Sequence, residues 1–152
     1  MISRMTCRLS LAILPLLLGS CGLTREPQAP GELGRQFTST IPGAWSGTIS
    51  RNGLECRMIK QYKRDGSAQG VLLLKKSQGR VSFVMPEIPF KSRWRVKGDV
   101  VETYGIETGI PGLFKPGEVI RDKLVSVSQN RISWRAVDSG NPQTITRLES
   151  SR

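Results

Sequence analysis

The chain has 152 residues, with 23 Lys and Arg against 12 Asp and Glu, a formal net charge of +11. It contains no histidine, which excludes histidine general-base catalysis and histidine metal ligation, and its length suits one domain. A protein this basic expects anionic neighbours: phospholipid head groups, lipopolysaccharide phosphates, cell-wall polymers or nucleic acid.

The first element is a short apolar run. Arg4 and Arg8 stand without an acid, and Leu9 to Leu18 are almost wholly apolar. A bilayer core about 30 Å thick needs roughly 20 such residues, so this run is too short to span it. A basic start and a short apolar stretch make an export signal. Leu18-Gly19-Ser20-Cys21 follows, with two small residues that can lie extended in a peptidase groove and a thiol that can take a diacylglycerol thioether. This tetrad resembles the lipobox of bacterial lipoproteins. The resemblance implies a signal over residues 1–20, cleavage before Cys21, and a lipid on that cysteine that holds the protein at a membrane. Gly22 stands at the sorting position, which implies the periplasmic face of the outer membrane in a two-membrane cell. Export leaves no role for cytoplasmic nucleic acid.

Losing Arg4 and Arg8 from the 23 basic residues leaves 21 against 12 acids, a net +9. Cys7 would go with the signal and Cys21 would carry lipid. Cys56 then stands alone, so no intrachain disulfide is available. It falls in a strand pattern, where a lone cysteine is expected to pack as a small apolar residue.

Residues 21–42 are expected to be the lipidated cysteine and a flexible tether, because Pro27, Pro30, Gly31 and scattered charges lack apolar periodicity. Leu33 and Phe37 would support a packed arm instead. From Gly43 the pattern changes. Runs rich in Val, Ile, Leu, Thr and aromatics are broken by Asn52-Gly53, Asp65-Gly66, Gly98-Asp99 and Gln129-Asn130. Asn-Gly and Asp-Gly favour two-residue hairpins, whose central positions need positive φ. Strands are expected near 44–51, 54–64, 67–76, 79–85, 90–97, 100–107, 118–128, 131–138 and 143–149, with no helical stripe. The expected fold is all-β: an antiparallel up-and-down meander of eight or nine strands over residues 43–149, closing into a barrel.

A turn at Asn52-Gly53 sets Ile49 opposite Cys56, Gly47 opposite Met58 and Trp45 opposite Lys60. Alternation then gathers Trp45, Ile49, Cys56, Met58 and Tyr62 on one face, the expected interior. Lys60 is the misfit. It either turns outward at a bulge or mouth, or points inward and needs an anionic partner. Further on, Lys91, Arg93, Arg95 and Lys97 alternate with Ser92, Trp94 and Val96. The Gly98-Asp99 turn sets Val96 opposite Val101, Arg95 opposite Glu102 and Arg93 opposite Tyr104, predicting an ion pair and a cation–π contact on the outer face. The basic row is either an anion- or partner-binding face or an ordinary solvated face. The stretch Thr108 to Gly117 is a long connection whose Ile110, Leu113 and Phe114 could guard a cavity mouth, touch a partner or lipid, or plug the barrel end. In Met85-Pro-Glu-Ile-Pro-Phe90 the prolines interrupt strand pairing.

Gly43-Ala44-Trp45 at the opening of the first strand resembles the Gly-x-Trp motif of lipocalin-like proteins. Tyr62-Lys-Arg-Asp65-Gly66-Ser67 and Trp94-Arg-Val-Lys-Gly98-Asp99 are similar to two hairpins of the bacterial small-barrel members. Lys123 to Ser128 and Thr144 to Arg147 fall where that pattern has its late strands. The resemblance spans residues 43–148 and lacks the second lipocalin motif, Thr-Asp-Tyr. It implies that Trp45 packs at the closed end of a barrel beneath Arg147, with Gly43 beside it as a structural position.

No phosphate-cradling loop or spaced carboxylate pair is present, and Cys56 has no histidine to activate it. No enzyme, metal or cofactor is expected. The expected function is that of a lipid-anchored envelope binding protein whose barrel holds a small apolar or lipid-like ligand, with Trp45, Met58, Lys60, Tyr62, Trp94 and Phe114 as candidate ligand contacts. The alternative is an interaction protein with a filled barrel, docking Lys91, Arg93, Arg95 and Lys97 on anionic envelope polymers or a protein complex.

Overall fold

A computed structural model describes residues 28–51, 54–78 and 81–149. The expected signal, Cys21 and the Asn52-Gly53 turn lie outside the described residues. The strands are β1 (Gly43–Arg51), β2 (Leu54–Tyr62), β3 (Ser67–Gln78), β4 (Val81–Val84), β5 (Ile88–Lys97), β6 (Val100–Thr108), β7 (Ile120–Val127), β8 (Arg131–Ala136) and β9 (Pro142–Arg147). All pairings between them are antiparallel. The order β2-β1-β9-β8-β7-β6-β5-β3, with β2 also paired to β3, closes eight strands into an up-and-down barrel. The ninth, β4, pairs with the far half of β3, from Lys75 to Gln78, while β5 takes the near half, from Ser67 to Leu72. The interruption between β4 and β5 is Met85-Pro86-Glu87.

The registers follow the turn chemistry. Ile49 pairs with Cys56, Gly47 with Met58 and Trp45 with Lys60. Val96 pairs with Val101, Arg95 with Glu102 and Arg93 with Tyr104. Alternation then sorts the side chains: in β5, Ile88, Phe90, Ser92 and Trp94 are buried, while Pro89, Lys91, Arg93 and Arg95 are exposed.

One element departs from the expectation of a tether and no helix. Helix α1, Glu32–Thr40, precedes β1, and its Phe37 and the following Ile41 are both 0% exposed. Leu33, Phe37 and Ile41 recur every four residues and so share one helical face. Nine residues are too few for a helix to hold itself in water, so its stability comes from this packing. The Gly98-Asp99 turn holds its start. Gly31 N–H donates to the Gly98 carbonyl at 2.8 Å, and Gly34 N–H donates to Asp99 Oδ1 at 2.9 Å. A carboxylate at a helix N-terminus satisfies an orphan donor and opposes the helix dipole favourably. Gly34 must stay glycine, since a Cβ there would lie 2.2 Å from the Gly98 carbonyl oxygen. Helix α1 and Ile41 thus pack into the core of the barrel, through Leu33, Phe37 and Ile41.

The helix stops one end of the barrel, the end that carries turns 63–66, 98–99 and 128–130. There Phe37 meets Trp94, Trp134 and Tyr62 with ring centroids 5.7, 6.2 and 6.4 Å apart. This aromatic core continues through Trp45, Val101, Leu124, Ile132 and Ile145. Connections 85–87, 109–119 and 137–141 ring the opposite end.

Candidate functional site

A cavity of about 280 Å³ lies inside the barrel between the aromatic core and the far end. Its apolar wall comes from Met58, Leu72, Phe90, Ile106, Phe114 and Ile120. Phe114 reaches in from the long β6–β7 connection and packs against a second buried cluster of Leu72, Ile88 and Phe90. That loop therefore supplies part of the wall. Of the exposed large apolar side chains, Val84, Met85, Ile110, Leu113 and Val137 belong to connections or strand ends at this far end, while Val125 lies within β7.

Three polar side chains interrupt the apolar wall. Lys60 is 3% exposed, Ser92 4% and Asp122 7%. Each is inward by strand period: Lys60 between Met58 and Tyr62 on β2, Ser92 between Phe90 and Trp94 on β5, Asp122 between Ile120 and Leu124 on β7. Lys60 Nζ sits 4.5 Å from the centre of the Tyr62 ring and 6.0 Å from that of Phe90. Lys60 thus points inward, the second of the two expected arrangements, and Asp122 is the acid facing it across the cavity. The two make no direct ion pair. Ser92 Oγ and Asp122 Oδ1 are buried with no hydrogen-bond partner, a costly arrangement for groups shut away from water.

The charges perturb each other. Burial pushes the Lys60 ammonium down to a pKa of about 8, against the upward pull of Asp122. Burial pushes the Asp122 carboxyl up to about 6; Lys60 opposes the rise and Asp138 adds to it. Burial and the Asp122 charge together raise the Tyr62 phenol above its ordinary range. Cys56 also lines the cavity, and burial raises its thiol pKa, which suits a poor nucleophile.

Of the candidate ligand contacts, Met58, Lys60, Tyr62 and Phe114 line the cavity. Trp45 and Trp94 do not. Trp45 is 0% exposed, donates from Nε1 to the Ile41 carbonyl at 2.7 Å, and lies 4.5 Å beneath the Arg147 guanidinium. Arg147 in turn donates to the carbonyls of Thr40, Pro42 and Gln129, latching the helix end, β1 and the β7–β8 turn together. Gly43, at φ 133°, keeps the space that Arg147 Nη1 needs. Trp94 packs on Phe37 and Tyr62 and donates to the Ser67 carbonyl at 3.3 Å. Trp134, Ser92 and Asp122 take their place in the wall, with Trp134 Nε1 donating to Gln143 Oε1 at 3.0 Å. The period of β7 held the signal for Asp122, since Ile120, Asp122 and Leu124 alternate with Arg121 and Lys123.

On the outer wall, Lys91, Arg93 and Arg95 are exposed and Lys97 is half-buried. Glu102 gathers Arg95 at 2.6 Å, Lys97 at 3.1 Å and Arg121 at 3.4 Å. Burial raises its pKa, but hydrogen bonds from Arg95 and Lys97 outweigh that and hold it below the usual range. The predicted cation–π contact on Tyr104 changes owner. Arg93 is the register partner of Tyr104, but the guanidinium over the ring, at 4.8 Å, is that of Arg95. A bulge opposite Lys91 and Arg93 puts the extra residue on β6, so the row on β5 keeps its alternation. A shallow outer groove of about 510 Å³ between β3, β5 and β6 is larger than the interior cavity, but its polar side chains Gln69, Lys91 and Glu107 are exposed.

Among the described residues no cluster of acids and cysteines is placed to hold a metal ion. No protein-family model matches the chain, and a search of curated proteins returns no match.

Proposed function

We propose that this protein is a lipid-anchored, lipocalin-like envelope protein that carries a small, largely apolar ligand inside its barrel. The observation that carries the proposal is the 280 Å³ cavity inside the barrel, walled by Met58, Leu72, Phe90 and Phe114. Binding sites of this kind are mostly apolar clefts with a few placed polar groups. The volume is at the small end, enough for roughly ten non-hydrogen atoms if each takes about the 30 Å³ of a water. The Arg147 latch over Trp45 supports the lipocalin-like assignment, and the Leu18-Gly19-Ser20-Cys21 tetrad supports anchoring to a membrane, at the periplasmic face of an outer membrane where there are two.

Docking through the basic row has weaker support, because Arg95 and Lys97 are already bound to Glu102. The test is mass spectrometry of organic extracts from natively purified full chain carrying Cys21→Ser, so that no acyl chain of its own competes for the cavity. A stoichiometric small amphiphile is the expected result. An empty extract, together with unchanged tryptophan fluorescence on titration with eight-carbon amphiphiles, would overturn the proposal.

A further inference from the structure

The chemical class of the ligand's polar end can be taken further, on the basis that the cavity is a binding site. Its wall carries one cation, one anion and one hydroxyl, all nine-tenths or more buried and held by three different strands. Lys60 has no direct ion pair, and Ser92 Oγ and Asp122 Oδ1 have no partner. These groups could have neutralised one another by meeting; instead they stand apart around one space.

A ligand head must answer all three. A carboxylate would gain from Lys60 but would be pressed against Asp122, and an ammonium would gain from Asp122 but meet Lys60. Either would also shed its own hydration on entering, a cost that a single partner repays poorly when a like charge stands opposite. An uncharged head that both accepts and donates fits the set. Its oxygen accepts from the Lys60 ammonium or the Ser92 hydroxyl, and its O–H or N–H donates to Asp122 Oδ1. Hydrogen bonds to charged groups are the stronger kind, and here they would also satisfy atoms that are otherwise orphaned. The apolar wall of Met58, Leu72, Phe90 and Phe114 takes the hydrocarbon.

We infer that the ligand is an uncharged amphiphile, a short-chain alcohol or primary amide, seated with its head between Lys60 and Ser92 on one side and Asp122 on the other. The probes are 1-octanol, octanamide, octanoate, octylamine and 2-aminooctanoate, which share a tail length. Each is titrated at pH 7 into the full chain carrying Cys21→Ser, with tryptophan fluorescence, to which the cavity-lining Trp134 contributes, as the signal. Octanol and octanamide should bind at least tenfold more tightly than the three charged probes. Asp122→Asn should turn the preference towards octanoate, and Lys60→Gln towards octylamine. Those reversals could not arise from a loss of folding, which circular dichroism would also register.

If octanoate or octylamine equals octanol on the wild type, or if the preference survives both substitutions, the assignment of the head is wrong while the cavity remains a binding site. Tightest binding by 2-aminooctanoate would replace the uncharged head with a zwitterion and overturn the assignment too. If no probe binds the folded protein, the proposal of a ligand-carrying barrel fails, and the head-group assignment fails with it.

Discussion

Lys60 and Asp122 are both ionised in the window between about pH 6 and about 8. The raised pKa of Asp122 makes the folded protein hold its proton more tightly than the unfolded chain. Its contribution to stability therefore falls as pH rises from the ordinary carboxylate value of 3.8 to about 6. Lys60 has the opposite sign. Its lowered pKa means that the unfolded chain holds the extra proton, so stability recovers as pH climbs from about 8 to 10.5. The burden of the two charges is thus greatest near neutrality, where a binding protein would need them. Replacing both by apolar residues, Lys60→Met with Asp122→Leu, should stabilise the barrel by about 1–4 kcal/mol at pH 7, since buried charges often cost more than they return. The gain should shrink towards pH 4 and pH 10 in urea titrations. A double variant less stable than wild type at pH 7, or a gain independent of pH, would show that the cavity charges are not a burden. Cys56 offers a second check. Its raised pKa predicts slow alkylation at pH 7, and a bound ligand should slow it further, because the thiol shares the cavity. Iodoacetamide labelling with and without 1-octanol measures this, and equal rates would place the ligand elsewhere. The sequence already marked Lys60 as in need of an anion. Asp122 lies 62 positions later, on a strand that is not a neighbour of β2, so only closure of the barrel brings the two to one space.

At the scale of elements, helix α1 differs most from the strands around it. The strands were legible because they repeat every two residues and are separated by turn dipeptides, which together set Val96 opposite Val101 and Ile49 opposite Cys56. The helix gave a weaker signal. It is little more than two turns of apolar repeat, Leu33, Phe37 and Ile41, and Thr38-Ser39-Thr40 between the last two are residues of middling helix propensity. What holds it is tertiary. Phe37→Ala should remove the ring at the centre of the Trp94, Tyr62 and Trp134 cluster and cost about 3–5 kcal/mol. Asp99→Ala should cost about 0.5–2 kcal/mol, the usual worth of a helix cap, by stranding Gly34 N–H. Equilibrium denaturation of each variant gives both values. A Phe37→Ala change below about 1 kcal/mol, a surface-like effect, would mean that the helix merely rests on the barrel.

For the whole molecule, the two barrel ends do different work. The described chain enters at the plugged end, where Pro30 bridges to Gly98. Seven peptide steps separate Cys21 from Gln28, a reach of at most about 25 Å at full extension. The apolar rim of Met85, Ile110, Leu113 and Val137 stands at the other end, beyond the cavity. On the proposed reading, an anchor on Cys21 would draw the plugged end towards the bilayer and leave the far end, with its apolar rim, facing water. Ligand would then enter from solution or from a soluble donor, and attachment to a membrane should not alter its affinity. The comparison is between lipidated chain on phosphatidylethanolamine and phosphatidylglycerol vesicles and the Cys21→Ser chain free in solution, both titrated with octanamide, which partitions poorly into lipid. Equal dissociation constants are expected. A markedly weaker affinity on vesicles would mean that the bilayer covers the mouth, and that the barrel lies on its apolar rim instead of standing on its plug.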